Sequence, residues 1–188
     1  MKLEKFNNLI DAFSSLPTVG KKSALRFAYH LVLNDTFCAV KLANAIECAV
    51  RDVRKCEYCG SISEHELCDI CLDDERQNGQ LCIVDSAKDI FILEENRLFE
   101  GRYFVLNSLE EESILRLKNI IKETQIEEII FAFSPCLASD AMMMYIEDKL
   151  KEFNVIFTKI AQGVPTGVSL ENIDVLSLSK AIKDRKKV

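Results

Sequence analysis

The chain opens with apolar positions at helical spacing. Leu3, Phe6, Leu9, Ile10 and Phe13 recur every three to four residues, which puts them on one stripe of an amphipathic helix. The pattern stops at Ser14-Ser15-Leu16-Pro17 and resumes after Gly20, with Ala24, Leu25, Phe27, Ala28 and Leu31 as the inward set, ending near Asn34-Asp35. Thr36 can cap a third helix whose apolar face includes Val40, Ala43, Ile46, Val50 and Val53. The first 55 residues therefore read as all-helical. Residues 55–79 are polar and without periodicity, too poor in apolar side chains to be held by burial alone. From residue 81 short continuous apolar runs, 81–84, 103–106, 129–133 and 155–157, alternate with helical patterns over 87–99, 109–124 and 138–153. Strands apolar at every position are buried on both faces, as happens when crossover helices cover a parallel sheet. The pattern predicts a βαβαβαβ unit, a tail containing Gly163 and Gly167, and a last helix from Ser179 ending in Arg185-Lys186-Lys187.

Composition narrows the setting. No stretch reaches the ~18 consecutive apolar residues of a bilayer span. The opening Met1-Lys2-Leu3-Glu4-Lys5 mixes charges with no apolar block behind it, so a cytoplasmic protein is expected. The formal charge of -6 hides an asymmetry. Residues 1–55 carry nine Lys/Arg against five Asp/Glu, net +4, and the remainder fifteen against twenty-five, net -10. A basic interacting end on an acidic body is the expectation.

Eight cysteines without an export signal argue against disulfides. Cys56, Cys59, Cys68 and Cys71 form two CxxC pairs eight residues apart. Two thiolates separated by two residues grip one metal ion from a tight turn, and a second such turn completes a tetrahedral sulfur site. One structural Zn2+ is expected; a closed four-ligand site leaves no position for a reactive water. His65 lies between the pairs, but four cysteines already suffice. Cys38, Cys48, Cys82 and Cys136 stand singly in apolar segments and read as buried small hydrophobes.

The segment Leu16-Pro17-Thr18-Val19-Gly20-Lys21-Lys22-Ser23-Ala24 is a glycine-bearing turn opening into a helix. Such a turn directs backbone N–H groups outward as a receptor for phosphate, with Lys21, Lys22 and Arg26 around the anion. An ordinary helix connection with solvated lysines accounts for the same residues; the neighbouring zinc motif and the basic N-terminal half favour DNA. Asp85 follows the first long strand, at the sheet edge where open α/β sheets bind ligands. Phosphotransfer would need further acids to hold Mg2+, and after the third strand only Asp140 is close.

Taken in order, these motifs resemble the RecR recombination mediator family over nearly the whole chain. LPTVGKKSALRFAYHLV looks like that family's helix-hairpin-helix, CEYCGSISEHELCDIC like its zinc finger, LCIVDSAKDIFILE and GRYFVL like the start of its Toprim domain, and IAQGVPTGVSLENIDVLSLSKAIKDR like its Walker B-like C-terminal segment. The resemblance implies an α+β multi-module chain: a helix-hairpin-helix module over 1–54, a four-cysteine zinc finger over 55–76, a Toprim domain with a mainly parallel sheet over 77–162, and a C-terminal strand and helix segment over 163–188.

It also implies a non-enzymatic homo-oligomer, often a tetramer, that encircles or bridges gapped, single- or double-stranded DNA without sequence preference. Its implied partners are RecO and, in many lineages, RecF, with RecA replacing single-strand binding protein at gaps; no membrane is involved, and the protein would associate with the nucleoid. By similarity Lys22 and Arg26 contact DNA, Asp85 occupies the Toprim acidic position used for partner or DNA contact, and Glu171 with Asp174 falls in the Walker B-like element. Asp140 is the further candidate partner contact. Thr18 stands where the family's hairpin has its first glycine, and Lys21 replaces a proline. Asp85 replaces a glutamate, and a loop after Leu106 is missing. A Mg2+-dependent Toprim nuclease using Asp85 and Asp140, and a zinc-stabilised scaffold without DNA contact, are the rival readings.

Overall fold

The computed structural model describes residues 3–161, 163–164 and 167–183, and the chain divides into two compact units, Met1–Val53 and Arg54–Val188. Among the described residues no helix is long and apolar enough to cross a membrane.

The N-terminal unit is helical, as its periodicity predicts. Helices α1 (Glu4–Ser14) and α2 (Lys21–Tyr29) pack against each other, with Phe13 and Phe27 edge to face at 5.9 Å. α2 runs into a π-helical turn, His30–Asn34, and α3 spans Thr36–Asp52. The cap of α3 is Asp35, not Thr36: the Asp35 carboxylate accepts the Cys38 N–H at 2.8 Å, and its non-helical backbone (φ -143°, ψ 78°) is that of a residue just outside a helix. Ala24, Ala28 and Leu31 are buried as expected. Leu25 and Phe27 are not: both remain about half exposed. Two alanines bring α2 close to its neighbour along a narrow 24–28–31 stripe, and residues 25 and 27 lie to either side of it, about 90° and about 70° away. No residue of α3 is buried; its apolar positions Phe37, Val40, Ile46 and Val50 are 55–79% exposed.

The second unit begins with a hairpin, β1 (Arg54–Lys55) against β2 (Ile62–Ser63), and a single helical turn, α4 (Asp69–Leu72). It continues as β3 (Gln80–Val84), α5 (Ala87–Glu95), β4 (Arg102–Val105), α6 (Glu111–Thr124), β5 (Glu128–Ala132), α7 (Leu137–Lys149) and β6 (Ile156–Lys159). The four long strands form one parallel sheet in the order β4-β3-β5-β6. Leu81, Ile83, Phe104, Ile129 and Phe131 face the large core shared with Leu117 and Ile121 of α6 and Ile146 of α7. Cys82, Val84, Tyr103 and Val105 face the other way, onto Ile90 of α5. α5 stops at Glu95, short of the expected 99, because Arg97 takes a left-handed backbone (φ 50°). The last helix, α8 (Val175–Lys183), begins four residues before Ser179; its expected end at residues 185–187 lies outside the described residues. Of the four single cysteines, Cys82 is buried, which pushes its thiol up to about 12. Cys48 and Cys136 are exposed and Cys38 half-buried, so apolar neighbours in sequence did not imply burial on amphipathic or loop-flanked helices.

Candidate metal centre and nucleic-acid interface

The β1–β2 hairpin delivers the first cysteine pair. Gly60 turns the chain with φ +75°, a conformation that favours glycine, so that its N–H reaches the Cys56 carbonyl at 2.9 Å and the Cys56 N–H reaches Ser61 O at 2.7 Å. Cys68 and Cys71 bracket the start of α4, with the Cys71 N–H on the Cys68 carbonyl at 2.9 Å. All four side chains are buried and their sulfurs lie within 4.8 Å of one another. Cys56 and Cys71 are 3.8 Å apart, Cys59 and Cys68 3.6 Å. A sulfur tetrahedron with Zn–S of about 2.3 Å has edges of about 3.8 Å, whereas a disulfide is about 2.05 Å. The donor set therefore fits a divalent ion, and the four cysteines form a structural zinc site. Backbone N–H groups of Ser61 and Cys68 donate to the Cys59 and Cys56 sulfurs, each at 3.4 Å, which favours the thiolate form. His65 is exposed and outside the cluster.

The centre is fastened to the sheet. The Val105 N–H on β4 donates to the Cys59 carbonyl at 2.8 Å, and the Arg102 Nη2 donates to the Cys71 carbonyl at 3.2 Å. Tyr58 packs against the large core. Its hydroxyl sits 3.4 Å from a Glu123 carboxylate oxygen, and burial, reinforced by that carboxylate, raises its pKa. No sequence pattern signals these fastenings: Arg102 belongs to the GRYFVL stretch that resembles the start of a Toprim domain, and nothing in that stretch points to the finger.

Lys21, Lys22 and Arg26 are all exposed on α2, and none of them is in an ion pair among the described residues. Lys22 and Arg26 are four apart and share a face. Gly20 is the extended residue preceding α2 (φ -79°, ψ 161°), so the left-handed position of the turn falls on Thr18, φ 68°. Arg26 also borders a hollow of about 640 Å³ shared with Leu25, Phe27, Tyr29, His30 and Asn34.

Asp85 follows β3 where the strand order reverses between β4 and β5, the crevice in which α/β sheets take ligands. It is half-buried; burial raises its pKa, a backbone hydrogen bond from Ser134 counters this, and Asp89 adds to the rise. Asp140 lies in the first turn of α7, exposed, with Lys159 at 3.6 Å, and lines a cleft of about 440 Å³ that Asp85 does not line. Glu171 is exposed in a 3-10 turn. Asp174 accepts the Ser177 N–H at 2.9 Å, at the start of α8. Among the described residues the four-cysteine cluster is the one group of three or more candidate ligand side chains.

Comparison with known proteins agrees with this layout. Residues 6–50 match the family model for the RecR helix-hairpin-helix, residues 53–73 that for the RecR four-cysteine zinc finger domain, and residues 79–161 that for the Toprim domain. The recombination protein RecR of a Nitratiruptor species is 55% identical over 187 residues, covering 100% of this chain and 98% of the relative. Recombination protein RecR of Campylobacter jejuni subsp. doylei is 52% identical over 99% of this chain and 98% of its own length. That of Helicobacter pylori (strain Shi470) is 52% identical over 97% and 95%. With its metal centre built as the zinc-finger match requires and its similarity running through every module, the chain belongs to the RecR family of recombination proteins.

Proposed function

We propose that this chain is a recombination mediator in DNA repair. It grips the sugar-phosphate backbone through Lys21, Lys22 and Arg26, without sequence preference. It acts as a ring or clamp, a homotetramer by the family resemblance. With a RecO-like partner and, where one exists, a RecF-like partner, it helps load RecA onto gaps coated by single-strand binding protein. It carries out no chemistry of its own, and it works in the cytoplasm at the nucleoid. The modules divide the labour at 1–54, 55–76, 77–162 and 163–188. Asp85, Asp140, Glu171 and Asp174 face protein partners.

The observation that carries this reading is the exposed Lys22–Arg26 pair on one face of α2, behind a turn whose backbone leads straight into the helix N-terminus. Cations there attract phosphate rather than base edges. Self-assembly is supported by α3, a 17-residue helix with an apolar face and no buried residue.

Binding to gapped duplexes of unrelated sequence, measured by fluorescence anisotropy across a salt series, tests the reading. Affinity should fall steeply with salt. Lys22→Ala with Arg26→Ala should weaken every sequence alike by roughly tenfold, and make the salt slope shallower by about one for each phosphate no longer neutralised. Salt-independent binding, or a loss confined to one sequence, would sink it. Labelled DNA incubated with Mg2+ or Mn2+ should stay intact; turnover abolished by Asp85→Ala would move the protein to the nucleases.

A further inference from the structure

A divalent ion held by four thiolates leaves a centre with two net negative charges, and here that centre is buried. Its own peptide makes the electrostatics worse. Over the finger, residues 55–76, stand seven Asp or Glu residues against two cations, Lys55, which is exposed, and an arginine, Arg76. That arginine is already committed: its guanidinium pairs with Glu94 through two contacts of 2.8 and 2.6 Å. A buried anion without a compensating cation is strongly destabilising, so the compensation has to come from outside the finger.

Two arginines from outside the finger approach it: Arg116 is half-buried, with its guanidinium near Gly60 and over the Phe104 ring, whereas Arg102 is fully buried and bonded to the finger. Arg102 on β4 is only 5% exposed. Its Nη2 donates to two finger carbonyls, Cys71 O at 3.2 Å and Asp73 O at 3.5 Å. It is in no ion pair among the described residues, and its buried Nε has no hydrogen-bond partner. Arginines are almost never buried this deeply without an anion. The unbalanced buried negative charge on its doorstep is the metal–thiolate centre, one carbonyl away at Cys71.

We propose that Arg102 is the counter-charge and positioning residue of the zinc centre. The buried cation and the buried anion are each unfavourable alone and offset one another, while the guanidinium holds Cys71 through its carbonyl. β4 thereby fixes the second cysteine of each pair: Cys59 through the Val105 N–H and Cys71 through Arg102. Metal affinity and the order of the β4 edge are then linked, each strengthening the other. The linkage is independent of how the protein engages DNA.

The test is zinc affinity of the full-length protein, by competition with a chromogenic chelator at one pH under reducing conditions, beside urea unfolding of each variant. Arg102→Gln, which keeps a hydrogen-bond donor and loses the charge, should lower zinc affinity about 10- to 100-fold, the range for outer partners of metal ligands. Arg102→Lys, which keeps the charge, should stay within about threefold of the parent. Arg76→Gln serves as control: it should lower the urea midpoint and leave zinc affinity within about threefold. Unchanged affinity in Arg102→Gln would overturn the proposal. So would equal falls in Arg102→Gln and Arg102→Lys, or a fall in Arg76→Gln as large as in Arg102→Gln. Should Arg102→Gln fail to fold, Arg102→Lys decides: near-parental affinity supports the charge role, and a fall of about tenfold removes it.

Discussion

The two units of this protein solve the problem of a core in opposite ways. Residues 54–188 bury Leu81, Ile83, Phe104, Leu117, Ile129 and Ile146 almost completely within one large cluster, and use a metal where the local sequence is too polar to do likewise. Residues 1–53 bury only Ala24, Ala28 and Leu31 among the described residues, while the apolar side of α3 stays open. A helix with an apolar stripe gains most of its stability from covering that stripe. The body holds its own contacts, whereas the helical unit leaves the apolar side of α3 exposed.

Four perturbations bear on that contrast, and the largest effect belongs to the metal. Structural zinc sites contribute on the order of 10 kcal/mol, so chelation under reducing conditions, or Cys56→Ser, should unfold residues 54–76. Because Val105 and Arg102 are bonded to the finger, the amide of Val105 should lose hydrogen-exchange protection as well. Protection that survives in metal-free protein would mean that the sheet stands without its staple.

Next come matched truncations in the two units. Leu117→Ala, at a fully buried position, should cost about 2–5 kcal/mol in urea unfolding. Val50→Ala, 79% exposed, should cost less than about 0.5 kcal/mol. Val50→Asp should instead lower the solution mass of the proposed homo-oligomer, and an unchanged mass would show that this face of α3 is not an interface.

A smaller effect sits in the body's ion pair. Hydrogen bonding to Arg76 holds the Glu94 carboxyl below its ordinary value, against the opposing pull of burial. The pair's contribution is therefore complete above the unfolded carboxyl pKa of about 4.3 and is lost as pH falls through the lower folded value. Glu94→Gln should cost about 1–3 kcal/mol at neutral pH and flatten stability below about pH 4. A variant whose acid unfolding matches the parent would place the acid sensitivity elsewhere.

The smallest lies in the helical unit. Thr18 has φ 68°, a left-handed conformation that costs a branched residue about 1 kcal/mol or more relative to glycine. Thr18→Gly should stabilise the N-terminal unit by about that amount, read as a small rise in thermal midpoint.

Much of this was legible from residue order. The paired cysteines announced their tetrahedron because thiolate spacing and metal geometry are both local. The continuous runs beginning at Leu81 and Tyr103 announced strands buried on both faces, whereas the runs at 129–133 and 155–157 gave β5, fully buried only at alternate positions, and β6, at the sheet edge with Ile156 exposed. The α2 inward set was only half legible: Leu25 and Phe27 satisfy helical spacing as well as Ala28 does, and which stripe is covered depends on how closely α1 approaches. Asp85 and Asp140 each sat near a strand end in sequence, yet the fold puts them in different surroundings, one half-buried beside Ser134 and one exposed beside Lys159.

Residue order by itself determined the helical front, the sulfur ligands, the alternation of strand and helix, and the cations at the start of α2, since each depends on neighbours a few positions apart. Only the tertiary structure decided that β4 would carry the finger, that Arg102 would be buried beside it, and that α3 would remain uncovered. Those outcomes join segments that are dozens of residues distant, or reflect the absence of a covering surface among the described residues, and no local pattern encodes either.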